Sequence, residues 1–268
     1  MATDVRPLLA DLTAESESLT AILGDLDSVQ WLLPTPAAGW TIADQVSHLA
    51  YFDETTLVSL LDPPRFRREA QLLVDGGDDF ADRVAAAHRH LAGAQLLAWF
   101  RGVRESLMDE YATADPTRRL PWYGPDMGVA SSITARLMET WAHGQDIVDA
   151  LGIQRPATDR LRHVAHIGVR ALPYSFAVND LPLPAEPIRV ELAGPEGETW
   201  GWGPADAPDR ITGTALDFCF VVTQRRHRDD TELTVIGPTA NTWIGIAQAF
   251  AGPAGPGRRA SSDERESA

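Results

Sequence analysis

Four stretches of helical periodicity, each ended by a proline- or glycine-rich break, restrict what the first two-thirds of this 268-residue chain can become. From Val5 to Leu26 apolar residues recur at helical spacing: Val5, Leu8, Leu9, Leu12, then Leu19, Ile22 and Leu23. A loop with Pro34, Pro36 and Gly39 follows. Thr41 then has the chemistry of an N-cap, with Asp44 at the capping-box position. The helix it opens runs toward Leu61, where Pro63-Pro64 stops it. Gly76-Gly77-Asp78-Asp79 breaks the next stretch, and Phe80 to Tyr111 reads as helical, in one piece or in two around Gly93. Pro116, Pro121, Gly124 and Pro125 make a stiff loop before the fourth long helix, Val129 to Leu151, which ends at Gly152. A shorter helix over Asp159 to Ser175 closes this part. Long helices with little strand signal predict an all-α four-helix bundle over residues 1–178.

The pattern changes after Pro182. Ile188-Arg189-Val190-Glu191-Leu192 alternates apolar and polar, as a half-buried strand does. Glu198 to Trp202 reads as a second strand, Ile211 to Arg226 as a helix, Glu232 to Ile236 as a strand and Thr239 to Phe250 as a closing helix. These make a small α+β domain over residues 179–252. Beyond it the chain is Gly/Pro-rich and then charged, which predicts a disordered tail over 253–268.

Charge narrows the partners. The formal net charge is −15 and lysine is absent, so every fixed side-chain cation is an arginine. Such a balance argues against nucleic acid, whose phosphates need clustered cations. Lysine-free composition with abundant Ala, Gly, Pro and Asp suggests a GC-rich bacterial genome. No basic patch followed by an apolar run opens the chain, and no stretch approaches a membrane span. The expectation is a cytoplasmic protein with no membrane partner; the oligomeric state stays open. One cysteine, Cys219, sits among Phe218, Phe220 and Val221, where it reads as a buried filler rather than a reactive thiol.

Three residues have metal-binding chemistry. Glu139 and His143 are four apart, one turn above each other on a helix, and His48 lies on an earlier helix. Together they offer two imidazoles, a carboxylate and an open coordination position, the pattern of a metal that does chemistry. Spacing alone leaves the simpler readings in place: a hydrogen-bonded structural histidine and a solvated helix face. Burial of Glu139 and His143 among Met138, Trp141 and Ile147 favours a metal, because a buried charge needs a partner. Asp44, one turn before His48, and Asp146, near His143, are candidates to orient the imidazoles; the alternatives are a capping acid and a surface acid. Trp122 and Tyr123 sit in the loop before the Glu139 helix, placed either to line a substrate pocket or merely to pack that loop. Arg225 and Arg226 end a helix in the second domain, where they could pair with carboxylates of a substrate or simply complement the helix terminus. Arg83, His88 and His90 read as surface residues.

The segment Gly39-Trp40-Thr41-Ile42-Ala43-Asp44-Gln45-Val46-Ser47-His48-Leu49 resembles the W-T-x-x-D-x-x-x-H-L motif of the mycothiol-dependent maleylpyruvate isomerase N-terminal domain, within the DinB-like metal-binding superfamily. Glu139-Thr140-Trp141-Ala142-His143-Gly144-Gln145-Asp146 resembles its second motif, E-x-x-x-H-x-x-D. The resemblance implies that His48, Glu139 and His143 bind a divalent metal, zinc in most members, and that the thiol mycothiol is a co-substrate. Pro121-Trp122-Tyr123-Gly124-Pro125 and Val222 to Asp230 are similar to an actinobacterial branch, and the second domain to a sterol-carrier-like domain attached to such proteins. That last likeness concerns fold, not lipid binding.

Coordination by zinc deprotonates a thiol, and the thiolate is the nucleophile. The implied activity is a metal-dependent thiol transferase or isomerase that attaches mycothiol to a small electrophile, exchanges it, or uses it transiently. A non-catalytic small-molecule or lipid binder and a metal-dependent hydrolase are the alternatives; neither the electrophile nor the reaction type is legible.

Overall fold

A computed structural model describes residues 4–266, with side chains described through residue 263. It divides into two compact units, residues 1–155 and 156–268. Among the described residues no helix is long and apolar enough to cross a membrane.

The first unit is built on four long helices: α1 (Arg6–Gly24), α2 (Ile42–Leu61), α5 (Gly93–Thr113) and α6 (Val129–Leu151). Between α2 and α5 lie α3 (Pro63–Asp75) and α4 (Phe80–His88), and a two-strand ribbon, β1 (Arg119–Leu120) with β2 (Met127–Gly128), leads into α6. α2 packs on α5 and α6, and α1 on α6 and α5. The core at one end joins Leu19, Leu23, Trp31, Ile42, Val46, Leu49, Leu96, Phe100 and Ile147; Leu19 and Leu23 belong to the apolar stripe read from the periodicity.

Local chemistry explains the ends of the helices. Thr41 accepts the Asp44 amide, and the Asp44 carboxylate returns to the Thr41 amide, so the start of α2 is a full capping box. α6 ends at Gly152, whose left-handed backbone (φ 65°) closes the last turn. Pro63 and Pro64 do more than stop α2. They fill the first turn of α3, where a missing N–H costs nothing, and Asp62 caps it through the Arg65 amide.

The second unit opens with α7 (Leu161–Arg170) and α8 (Leu172–Val178). The single helix expected over Asp159 to Ser175 is therefore two, broken before Pro173, and it belongs to this unit rather than to the bundle. α7 lies on α9 (Ala215–Val222). Gly168 lets Val222 approach so closely that a Cβ there would meet it at 2.6 Å. Burial pushes the Cys219 thiol up; it donates to the Leu161 carbonyl, as a structural filler does.

A four-stranded sheet in the order β4-β3-β5-β6 completes the unit: β3 (Ile188–Ala193), β4 (Thr199–Trp202), β5 (Asp209–Thr214) and β6 (Thr234–Ile236). β3 and β5 are parallel, with Val190 opposite Ile211, and the other pairs are antiparallel. The helix expected over Ile211 to Arg226 thus begins as a strand. Thr214 ends that strand and caps α9 by accepting the Asp217 amide. The closing helix is α10 (Pro238–Ile246). Gly252, at the end of this unit's expected range, exchanges hydrogen bonds with the Tyr174 hydroxyl. Beyond it the described residues are mostly exposed, Ala260 is buried, and the Ser261 amide that opens α11 (Ser261–Glu266) reaches Asp230.

Candidate metal centre

Two helices bring the three predicted ligands together. α2 supplies His48; α6 supplies Glu139 and His143 from one face. His143 Nε2 lies 3.1 Å from Glu139 Oε2, and His48 Nε2 lies 3.9 Å from the same oxygen. All three donor atoms fall within 4.8 Å of one another. A tetrahedral zinc with bonds of about 2.0–2.1 Å sets neighbouring donors roughly 3.3 Å apart, and the observed separations bracket that value. The residues fit a divalent ion. Among the described residues no other group of three or more His, Cys, Asp or Glu does.

Electrostatics favour the same use. Burial alone would raise the pKa of the Glu139 carboxyl. The hydrogen bond and charge of His143, with the charges of Arg136 and His48, overcome it and bring the pKa down to about 2. Glu139 is thus an anion ready to bind a cation at any physiological pH.

Orientation comes from a residue not singled out in the sequence. His143 Nδ1 donates to Gln45 Oε1, so in the neutral ring the lone pair that can bind a metal is on Nε2, the nitrogen beside Glu139. Gln45 is itself fixed by donating to Thr35. Its signal was available: Gln45 is three residues before His48, on the same face of α2. Of the two acids proposed for this task, Asp44 is engaged elsewhere. Both oxygens of Asp44 serve the Thr41 cap and the Arg89 guanidinium, which hold its carboxyl below the usual range against burial. Asp146 is buried on α6, one turn from His143. Gln45→Leu keeps the volume and removes the acceptor. We expect it to weaken metal binding by roughly 10–100-fold with little change in secondary structure, measured by competitive chelator titration and circular dichroism.

Aromatic rings surround the imidazoles. Trp40 lies 5.2 Å from His48 and 6.1 Å from His143 between ring centroids, and its indole N–H donates to Asp82 at the start of α4. Phe52 lies 4.5 Å from His48. Trp122 and Tyr123 continue this wall: each contacts Phe52 and Phe66, and Tyr123 stacks on Phe80. The loop residues picked from sequence therefore reach the trio through Phe52. Arg225 and Arg226 are in the second unit. Arg225 donates to Thr223, Arg226 donates to the Arg225 carbonyl and covers Phe220, and Arg226 lines a cavity of about 80 Å³ with His227 and Arg228. Of the residues read as surface, His90 is exposed, while His88 packs on Trp99 and Arg83 holds the Leu73 and Gly77 carbonyls.

Residues 12–148, more than half of the chain, match the family model of the mycothiol maleylpyruvate isomerase N-terminal domain. The chain belongs to that family. The matched region contains the whole trio together with Gln45 and the aromatic wall. A second model, wyosine base formation, matches residues 184–234 in the other unit. Uncharacterized proteins from two strains of Mycobacterium tuberculosis are 48% identical over 255 residues, covering 95% of this chain and 99% of theirs. Among solved structures, the mycothiol-dependent maleylpyruvate isomerase superposes with a TM-score of 0.59 at 14% identity, over 87% of this chain and 93% of that one. A mutant of it, with one histidine changed to alanine, gives 0.58 at 13% identity. At that identity the likeness is one of fold: a mostly helical unit followed by a small sheet-containing one.

Proposed function

We propose that this protein is a cytoplasmic, metal-dependent enzyme that uses mycothiol as co-substrate, transferring it to, exchanging it on, or isomerising a small electrophile. The observation that carries the proposal is the His48–Glu139–His143 geometry inside a chain of this family. In this reading the first unit is a DinB-like four-helix bundle and the second a sterol-carrier-like domain.

Three protein donors are what a catalytic ion takes, with its fourth position given to a small molecule. The ion, most simply zinc, would supply a thiol held as its thiolate near neutral pH. The chain's own residues do the rest. Gln45 fixes the tautomer of His143, Trp40 and Phe52 keep water from the imidazoles, and the Trp122–Tyr123 wall offers apolar surface for the electrophile. We retain Arg225 and Arg226 as a second, basic locus for acidic groups of substrate.

The test is calorimetric titration of mycothiol into metal-free and metal-loaded protein, with metal content measured beforehand. Binding that requires the metal supports the proposal. Equal binding in both states, or binding of apolar ligands alone, overturns it in favour of a carrier.

A further inference from the structure

Dividing the trio between two helices creates a mechanical problem. Helix geometry sets the spacing of Glu139 and His143. The distance from that pair to His48 depends instead on how α2 lies against α6. Apolar side chains tolerate small slides of one helix over another, whereas a metal centre needs its donors within about 0.5 Å of their places.

The side chains around Asp53 answer this problem. Asp53 follows His48 along α2 and is fully buried. Arg104 of α5 grips both of its oxygens, Nε to Oδ2 at 2.7 Å and Nη2 to Oδ1 at 3.1 Å. The same Nη2 donates to Thr140 Oγ1 at 3.1 Å, beside Glu139 on α6, and Nη1 donates to Ser16 on α1. Arg136, also on α6, brings Nη1 to 4.0 Å from Asp53 Oδ1 and lies over the Trp122 ring. Thr140 donates back to the Arg136 carbonyl. One carboxylate thus faces two guanidiniums, and the cluster reaches all four long helices in the turn that carries Glu139.

As a source of stability this arrangement is poor. Buried charges lose hydration that their pairing only partly returns, and Nη1 of Arg136 is buried without a hydrogen-bond acceptor. What the cluster provides is direction: Arg104 of α5 makes oriented bonds to Asp53 on α2 and to Thr140 on α6 at once. The charge of Arg136 also acts on Glu139.

We propose that Asp53, Arg104 and Arg136 are positioning residues that lock α2 against α6 and so hold His48 at coordinating distance from Glu139 and His143. The inference rests on the metal reading of the trio. Its test compares the full-length wild-type chain with the triple variant Asp53→Leu/Arg104→Met/Arg136→Leu and with Thr140→Val, which cuts only the arm that Arg104 extends to α6. Each metal-free protein is titrated with Co²⁺, following affinity and the visible absorption of the bound ion, and urea unfolding is measured in parallel. The triple variant is expected to unfold at the wild-type urea concentration or above, yet to bind Co²⁺ roughly 10–100-fold more weakly and with an altered spectrum. Thr140→Val is expected to shift affinity and spectrum the same way. Wild-type affinity and spectrum in the triple variant overturn the inference; if the triple variant does not fold, the same result in Thr140→Val does so. A wild-type chain that takes up no Co²⁺ overturns the metal reading itself, a distinguishable failure.

Discussion

Glu139→Ala is expected to abolish metal binding and, with it, thiol-dependent turnover. Glu139 is the only carboxylate in the trio, and its oxygen lies within 4 Å of both imidazole Nε2 atoms. Removing it leaves two imidazoles on different helices and takes away the negative charge that opposes the ion's own. Metal catalysis supplies several kcal/mol of barrier lowering, so turnover should fall on the order of 10³-fold or more. Glu139→Gln preserves shape and hydrogen bonding but not charge, and it should lose nearly as much. The fold should survive, because the Glu139 side chain keeps about 15% of its surface exposed and holds no helix end. His48→Ala and His143→Ala should behave alike. Metal analysis by mass spectrometry and mycothiol-dependent product formation are the readouts. Full thiol-dependent activity in any of the three would remove the basis of the proposed function.

Asp53→Ala is expected to be the most destabilising single substitution in the first unit. It deletes the carboxylate and leaves Arg104 and Arg136 buried, with side-chain exposures of 6% and 4%, facing each other without a counter-charge. Breaking a buried pair on one side costs about 3–5 kcal/mol. For a unit of this size that corresponds to a fall in unfolding midpoint of roughly 6–20 °C. Scanning calorimetry measures it. The contrast with the triple apolar variant is the informative part: the same loss of Asp53 should be severe when the arginines remain and cost no stability when they are replaced too. A neutral Asp53→Ala would show that water already screens this cluster.

Helices were legible where one face is apolar and both ends carry their own chemistry. Thr41 with Asp44 and the terminal Gly152 are local signals, and α2 and α6 begin and end where those residues place them. β5 was not legible. Its six residues, Asp209–Thr214, run straight into α9, and Ile211 is buried by pairing beside Val190, a partner about twenty positions away that no local pattern names. The unit boundary at Arg155–Pro156 was equally hidden: α7 looks like one more bundle helix until its contact with α9 is seen. In the site, the ligands could be read because two of them share a helix at i, i+4. Gln45 was passed over because a neutral amide draws no attention as an orienting group, although it occupies the face of α2 that carries His48. The Asp53 cluster escaped because its members come from three helices, and only packing brings them together.

The partners Gln45 and His143 stand 98 positions apart along the chain. An ion shared by α2 and α6 would therefore be a cross-link, closing a ring of about that length in a protein whose one cysteine is buried and unpaired. Such an ion binds the folded chain, so free metal at 100 times its dissociation constant would add about 2.7 kcal/mol to the stability of the first unit. The amount of intact protein would then follow metal supply, and chelation would expose the chain to proteases before it merely stopped the chemistry. The centre would set the lifetime of the molecule as well as its activity.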